Sequence, residues 1–229
     1  MSGDGNGRAV TKKDRVLGEL RAMIAANEIA RGDHIRQADL ARRFNTSITP
    51  VREALRQLEA EGVLVATPHR GVRVANADLE AVKGVYVARR LTEPYATQRA
   101  ATRVSRRDLD RAARLNAEMA EARAASRSTD LGVANREFHF IFYDRCDNPG
   151  LRNIINTLWH SFPWDVLQVL ERRPQESLAE HEELLAAVGA ADLDAVGAAV
   201  ERHLRNGYLA LAAHLGDDAL QDPFDLDTD

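Results

Sequence analysis

The sequence predicts a mainly α-helical protein in two parts: a small N-terminal unit that closes with a β-hairpin, and a larger unit made of helices alone. Three observations carry the prediction. Alanine and leucine abound while only 5% of the residues are aromatic, a composition that favours helix. Apolar residues recur at helical spacing through most of the chain, with breakers between the periodic runs. One stretch alone, "VLVATPHRGVRV", holds two short β-branched runs around Pro68 and Gly71, a hairpin pattern. At 229 residues, 45% apolar and 29% charged, the chain has the length and core material for two ordinary soluble domains.

In the first part, Val16, Leu17, Leu20, Met23 and Ile24 recur at helical spacing. That helix should end near Asn27, before a turn at Gly32-Asp33. A second, short helix is "QADLARRF", with Leu40, Ala41 and Phe44 on one face. "NTSI" is polar and short enough to be a turn. Thr49 then supplies an N-cap and Pro50 a first-turn proline for a third helix, "TPVREALRQLEAEG", which Gly62 stops. With Val51, Leu55 and Leu58 turned inward, Arg52 and Arg56 fall one turn apart on the outer face. Helix, short helix, turn, helix and hairpin are the elements of a winged helix-turn-helix over residues 8–75. In that arrangement the third helix can reach phosphates or guanine edges in a major groove.

Charge separates the two parts as well. The net charge is −4. Residues 8–75 carry 13 Lys/Arg against 8 Asp/Glu, a net +5, whereas 76–229 carry 18 against 26, a net −8. The basic part gains from displacing the counterions of a nucleic acid, and the acidic part is repelled by the same polymer.

Residues 77–215 read as an antiparallel α-helical bundle of six helices: 77–102, 106–124, 128–146, 149–161 with a continuation after Pro163, 175–189 and 192–214. Ser105, Thr129, Asn148-Pro149-Gly150, Pro163, Pro174 and Gly189 separate them, and Pro94 is expected to kink the first. The tail, 216–229, "GDDALQDPFDLDTD", has six aspartates and no basic residue and is expected to be mobile. The start, "MSGDGNGRAVTKK", lacks the apolar run of a signal peptide, and Asp192 and Asp194 interrupt the most apolar later stretch. A cytoplasmic protein is expected. The single cysteine, Cys146, falls in a helical pattern and reads as an inert packed thiol.

The histidines of the bundle are placed suggestively. "NREFHFIF" stacks Asn135 and His139 at i, i+4 on one helix face. His181 in "EHEELLAAV" and His203 in "ERHLRNGY" sit mid-helix in the last two helices, which a very short turn joins into an antiparallel pair. Singly, such residues are usually core or surface histidines. Together, three imidazoles and an amide oxygen on converging helices could hold a divalent transition metal with a position left open.

The segment "DLARRFNTSITPVREALRQLEAEGVLVATPHRGVRV" resembles the DNA-binding segment of the GntR family of bacterial transcription regulators, with the resemblance covering about residues 12–75. It implies that Thr49 and Arg52 contact the operator and that Arg42 and Arg56 support them at the backbone. It also implies that the wing tip, Arg70-Gly71, approaches the minor groove, which the missing Cβ of Gly71 permits. Ile48 stands where the family usually has an arginine. That exchange removes a phosphate or guanine contact and offers an apolar side chain to a thymine methyl.

Residues 77–215 resemble the FadR-type C-terminal ligand-binding domain, FCD, which has six or seven antiparallel helices. In many members it holds a metal through Asp/Asn-x-x-x-His and two later histidines. Asn135, His139, His181 and His203 match in type and order, with zinc or nickel as the ion implied. Asn135 stands in for the more usual aspartate, so one negative charge is missing. His160 has no counterpart and reads as structural. An arginine four residues before a glutamate is matched by Arg89 and Glu93 in "ARRLTEPY". Arg89 could grip the carboxylate of a metal-bound organic acid or simply form a helix ion pair, and Arg90 could take either role.

The resemblance implies a ligand-responsive repressor, a homodimer on a pseudo-palindromic operator, controlled by a small organic acid bound near the metal. A metal-dependent hydrolase with a DNA-binding head and a regulator whose signal is the metal itself are the alternatives. "HEEL" lacks the second histidine of H-E-x-x-H, and no G-x-S-x-G, phosphate loop or C-x-x-C pair occurs. Catalysis is therefore not expected.

Overall fold

The computed structural model describes residues 11–25, 28–67, 71–167, 170, 172–217 and 221–225. The chain divides into two compact units after Asn76.

The N-terminal unit comprises α1 (Lys12–Ala25), β1 (His34–Ile35), α2 (Gln37–Arg43), α3 (Ile48–Ala60), β2 (Leu64–Thr67) and β3 (Gly71–Val74). Its sheet is antiparallel in the order β1-β3-β2, with His34 opposite Arg73 and Leu64 opposite Val74. Val16 and Leu20 of α1 meet Val51, Ala54 and Leu58 of α3 in a sealed core, with Leu64 and Val74 beneath. Arg21 donates through one nitrogen to both carboxylate oxygens of Glu61, at 2.8 and 2.6 Å, and so ties α1 to the end of α3. This is the expected winged helix-turn-helix, with one strand added. β1 is two residues long and carries no alternation that a sequence could display.

The start of α3 needs a correction. Ser47, not Thr49, is the N-cap residue, and its side chain makes no capping bond. Thr49 and Pro50 lie inside the first turn, where proline's missing N–H has no intrahelical partner to lose. Asn45, at φ 47°, turns the chain between α2 and α3, a left-handed conformation that asparagine tolerates.

The C-terminal unit is all helical: α4 (Leu79–Ala101), α5 (Arg106–Ala124), α6 (Ser128–Tyr143), α7 (Pro149–Ser161), α8 (Trp164–Leu167), α9 (Arg173–Gly189) and α10 (Leu193–His214). Short side chains fix most of the starts. Asp78, Asn148 and Asp192 each accept a backbone N–H from three residues on, and Ser105 with Asp108 forms a capping box. α4 runs unbroken through Pro94. It packs against α10, α6 and α7, while α5 packs against α6 and α9. Tyr86, Phe138, Phe142, Tyr143, Tyr208 and Leu211 fill the core, with the Tyr86 and Tyr208 rings stacked at 4.3 Å.

Three further expectations change. α9 begins at Arg173, so Pro174 is a first-turn proline and not a break between helices. α6 ends at Tyr143, so Cys146 lies in the following turn; it is buried nonetheless. The tail, expected to be mobile, is fastened over 221–225. The Asp222 carboxylate is buried and accepts from Tyr86 Oη at 2.9 Å, Arg90 Nη1 at 3.1 Å and Arg205 Nε at 3.0 Å. The Phe224 N–H, the Tyr86 hydroxyl and the Arg90 guanidinium together outweigh the desolvation and hold the carboxyl below its usual range. Among the described residues, no helix is long and apolar enough to cross a membrane.

Candidate functional site

In the N-terminal unit, burial of Val51, Ala54, Leu55 and Leu58 turns Thr49, Arg52 and Arg56 to the surface. Neither Arg52 nor Arg56 pairs with any described residue. Two unneutralised guanidiniums therefore stand on one helix face, one turn apart. Ile48 is 43% exposed at the start of the same helix. Arg42 is also exposed and pairs with Asp39 one turn earlier. Gly71 opens β3 at φ 87°, a conformation that glycine adopts without strain, and a Cβ there would lie 3.5 Å from the Ile35 carbonyl oxygen. Arg70 lies outside the described residues.

In the bundle, α6, α9 and α10 bring His139, His181 and His203 together, all buried. Their ligating atoms lie within 4.8 Å of one another. His181 Nε2 and His139 Nε2 are 3.2 Å apart. Two nitrogens each about 2.0–2.1 Å from one tetrahedral ion would be separated by roughly 3.3 Å.

The outer contacts fix which nitrogens face inward. Asn116 Oδ1 lies 3.0 Å from His181 Nδ1, so that nitrogen carries the proton and Nε2 keeps its lone pair. Glu180 Oε2 lies 2.7 Å from His203 Nδ1 and assigns its proton in the same way. Glu180 is held in turn by Arg173, through Nη1 at 2.8 Å and Nη2 at 2.6 Å, and by Asn206 Nδ2 at 2.8 Å. Burial pushes the Glu180 carboxyl up, but the bonds to His203 and Arg173 prevail and hold it at about 2.

All three imidazoles are kept neutral. Burial is the main cause, and His139 is further disfavoured as a cation by its two histidine neighbours, Arg89 and Arg173. Neutral, oriented and clustered imidazoles are the donor set a divalent transition ion requires. The residues present fit such an ion.

A cavity of about 50 Å³, open to solvent on one side, adjoins the cluster; Arg89, Asn135, Trp164, Arg173, His203 and Gly207 are among its walls. Asn135 sits one turn before His139, as its spacing predicted. Arg89 does form the helix ion pair, with Nε 2.6 Å and Nη2 3.2 Å from the Glu93 oxygens. Glu93 also accepts from Tyr143 Oη at 2.6 Å and Trp159 Nε1 at 3.0 Å. The guanidinium lies 4.7–5.1 Å from the ring centres of Trp159, Phe162 and Trp164, so Arg89 is both paired and presented to the cavity. Arg90 is committed elsewhere, to Tyr86, Glu201 and Asp222. His160 closes α7 outside the histidine cluster.

Sequence reasoning missed Asn116, Arg173 and Glu180. Arg173 and Glu180 are seven residues apart, two turns on one face. Placing the helix start at 175 left Arg173 outside it and hid the pair. Asn116 is 65 residues from His181 and left no local signal.

A winged-helix head with an unpaired cationic face, in one chain with a helical bundle that has a cavity beside three clustered histidines, has the two parts of a transcription regulator: a DNA-binding unit and a second, all-helical domain. Residues 12–74 match the model of bacterial regulatory proteins of the gntR family, and residues 84–206 match that of the FCD domain. The chain belongs to the GntR family of transcriptional regulators, in its FCD-bearing form.

The HTH-type transcriptional regulator McbR of Escherichia coli is 26% identical over 196 residues, covering 84% of this chain and 89% of that one. A probable D-xylose utilization operon transcriptional repressor of Paenarthrobacter nicotinovorans is 27% identical over 197 residues, 83% of this chain and 84% of its own. Among solved structures, E. coli McbR/YncC has a TM-score of 0.81 at 22% identity, covering 90% of this chain and all of that one. A putative GntR regulator of Rhodococcus sp. RHA1 has a TM-score of 0.74 at 22% identity, with 88% and 98% covered. At these identities the structures speak to the fold alone.

Proposed function

We propose that this regulator is a repressor which binds a pseudo-palindromic operator as a homodimer and lets go when a small organic acid enters the bundle cavity beside a metal. The observation that carries the reading is the histidine cluster: three buried, neutral imidazoles, two with an outer partner that fixes the proton, on a cavity that Arg89 also lines. His139, His181 and His203 would hold a zinc or nickel ion with Asn135 as the fourth donor. The ion would supply a Lewis-acidic position open to a carboxylate oxygen. Arg89, fixed by Glu93, would take a second oxygen of the same acid by a charge-assisted hydrogen bond. The aromatic rings around Arg89 keep water away and strengthen that contact.

On the DNA side, Arg52 and Thr49 would touch the operator from α3. Arg42 and Arg56 would lie along the phosphates, and the wing at Arg70-Gly71 would follow the minor groove. The repressor sign is supported by the Paenarthrobacter relative, which is named a probable repressor. An acid that favours one dimer geometry by about 1–3 kcal/mol changes operator occupancy about 5- to 150-fold.

The test is operator affinity of metal-loaded protein, measured with a panel of carboxylates and with metal alone. At least one acid should weaken binding at constant metal. If metal loading alone moves the affinity and no acid adds to it, the metal is the signal and the proposal is wrong.

A further inference from the structure

Nine arginines are described in the N-terminal unit, and five of them have an acceptor inside it. Arg15 donates to the Phe44 carbonyl and Arg31 to that of Ala75, while Arg21, Arg42 and Arg43 pair with Glu61, Asp39 and Glu28. Four have none among the described residues: Arg36, Arg52, Arg56 and Arg73. Arg52 and Arg56 are the exposed pair of α3. The other two lie on the sheet and have no role in the reading above.

Register places both on the outer face of that sheet. Along 34–36 the chain is exposed at His34, buried at Ile35 and exposed at Arg36, the alternation of a strand with one covered side. Arg73 of β3 stands directly opposite His34, so the two share a face. Val72 is opposite Ile35, and the extended backbone of Arg36 carries the pairing on towards Gly71 at the wing. A Cβ on Gly71 would come 3.5 Å from the Ile35 carbonyl oxygen. None of the three strands contains an acid, and Asp33, just ahead of β1, is turned to the Ala30 N–H.

Arg36 is also poorly placed for stability. It is the N-cap residue of α2, where its side chain makes no capping bond. Serine, threonine, aspartate or asparagine at that position accepts a free N–H of the first turn, and arginine has no acceptor to offer. A residue that breaks a local rule with no compensating contact in the protein marks a functional position. The partner suited to two uncompensated guanidiniums beside a wing is a phosphate backbone, whose counterions they displace.

We propose that the outer face of the β1-β3-β2 sheet is a second duplex-DNA surface, on which Arg36 and Arg73 hold backbone phosphates beside the wing. These contacts lengthen the footprint beyond what α3 reads and add affinity that does not depend on sequence. This rests on the DNA-binding reading above.

The test is the salt dependence of binding by full-length protein to two duplexes, an operator selected from a random library and a random sequence, in Arg36→Ser, Arg73→Thr and the double variant. Arg36→Ser supplies a capping residue and Arg73→Thr a β-branched strand residue, so neither should lower the melting temperature. Each should weaken both duplexes by a similar factor and lower the slope of log K against log salt by about 0.9 per protomer bound, the double variant by about twice that. Arg43→Ala removes an equal charge from a guanidinium that Glu28 already holds, and should leave the slope where it was. Slopes that stay put in Arg36→Ser and Arg73→Thr, or that fall as far in Arg43→Ala, would overturn the inference. A loss of discrimination in Arg52→Ala would then still uphold recognition by α3. An operator preference that changes in Arg36→Ser or Arg73→Thr would overturn it as well, since the contact would be to bases. If the unaltered protein binds no duplex, the DNA-binding reading fails and this inference with it.

Discussion

Glu180 and His203 are 23 residues apart in the chain and 2.7 Å apart in space, Oε2 to Nδ1, inside a shell that Arg173 completes. The carboxylate determines which nitrogen of His203 faces the histidine cluster and raises that nitrogen's basicity. Glu180→Gln is therefore expected to weaken zinc or nickel affinity by about 10- to 100-fold. Competition against a chromogenic chelator, with helicity followed by circular dichroism, separates this from unfolding.

Metal binding and bundle stability are linked by mass action. At a free metal concentration 100 times its dissociation constant, an ion held by the histidine cluster would stabilise the fold by about 2.7 kcal/mol. Chelation should lower the melting temperature of the unaltered protein and leave that of His139→Ala where it was. Equal shifts in both would place the metal elsewhere.

Arg52 is exposed and pairs with no described residue, so its removal should not touch the fold. Arg52→Ala should change stability by no more than about 0.5 kcal/mol. It should cost about 1–3 kcal/mol of discrimination between operator and random duplex, with the loss at one base position. Affinity ratios from gel shift at fixed salt measure this directly.

Ile48→Arg restores a cation at the exposed first position of α3. It should raise affinity for every duplex and steepen the salt dependence by about one unit of slope. Selection from a random library should move the preferred base beneath it from thymine towards guanine.

Asp108 gives a pH dependence of known sign. Arg145, at 3.1 and 3.3 Å, and the Ser105 backbone and hydroxyl hold its carboxyl well below the usual range. The folded-state pKa is thus below the unfolded value of ~3.9. The stabilisation is complete above that value and is lost as pH falls towards the folded one. Asp108→Asn should be less stable by about 1 kcal/mol at neutral pH, with the gap narrowing below about pH 4. Denaturant midpoints across that range test it.

The architecture was legible because both units rely on local signals. The 3.6-residue periodicity and the capping residues Asp78, Ser105, Asn148 and Asp192 mark the bundle helices, and Val51, Leu55 and Leu58 reveal which way α3 faces. The histidine cluster was also legible, since His139 is mid-helix and His181 and His203 face one another across a short turn. Its outer partners were not. Asn116 meets His181 only through tertiary packing, and Arg173 looked like a loop residue until Pro174 proved to be inside a helix. The tail misled for the same reason: six aspartates suggest repulsion, and the cations that hold Asp222 include Arg90, 132 residues away.

The same long span bears on how the protein is made. The bundle's first helix is covered by its last, with Tyr86 stacked on Tyr208 and bonded to Asp222 across 136 positions. On the ribosome the winged head can finish folding while α4 still waits for α10 to be translated. In that interval the nascent chain carries a folded N-terminal unit, and the buried face of α4, with Val82 and Tyr86, lacks its cover. Chaperones that bind exposed apolar segments have their opening there, before the bundle is complete.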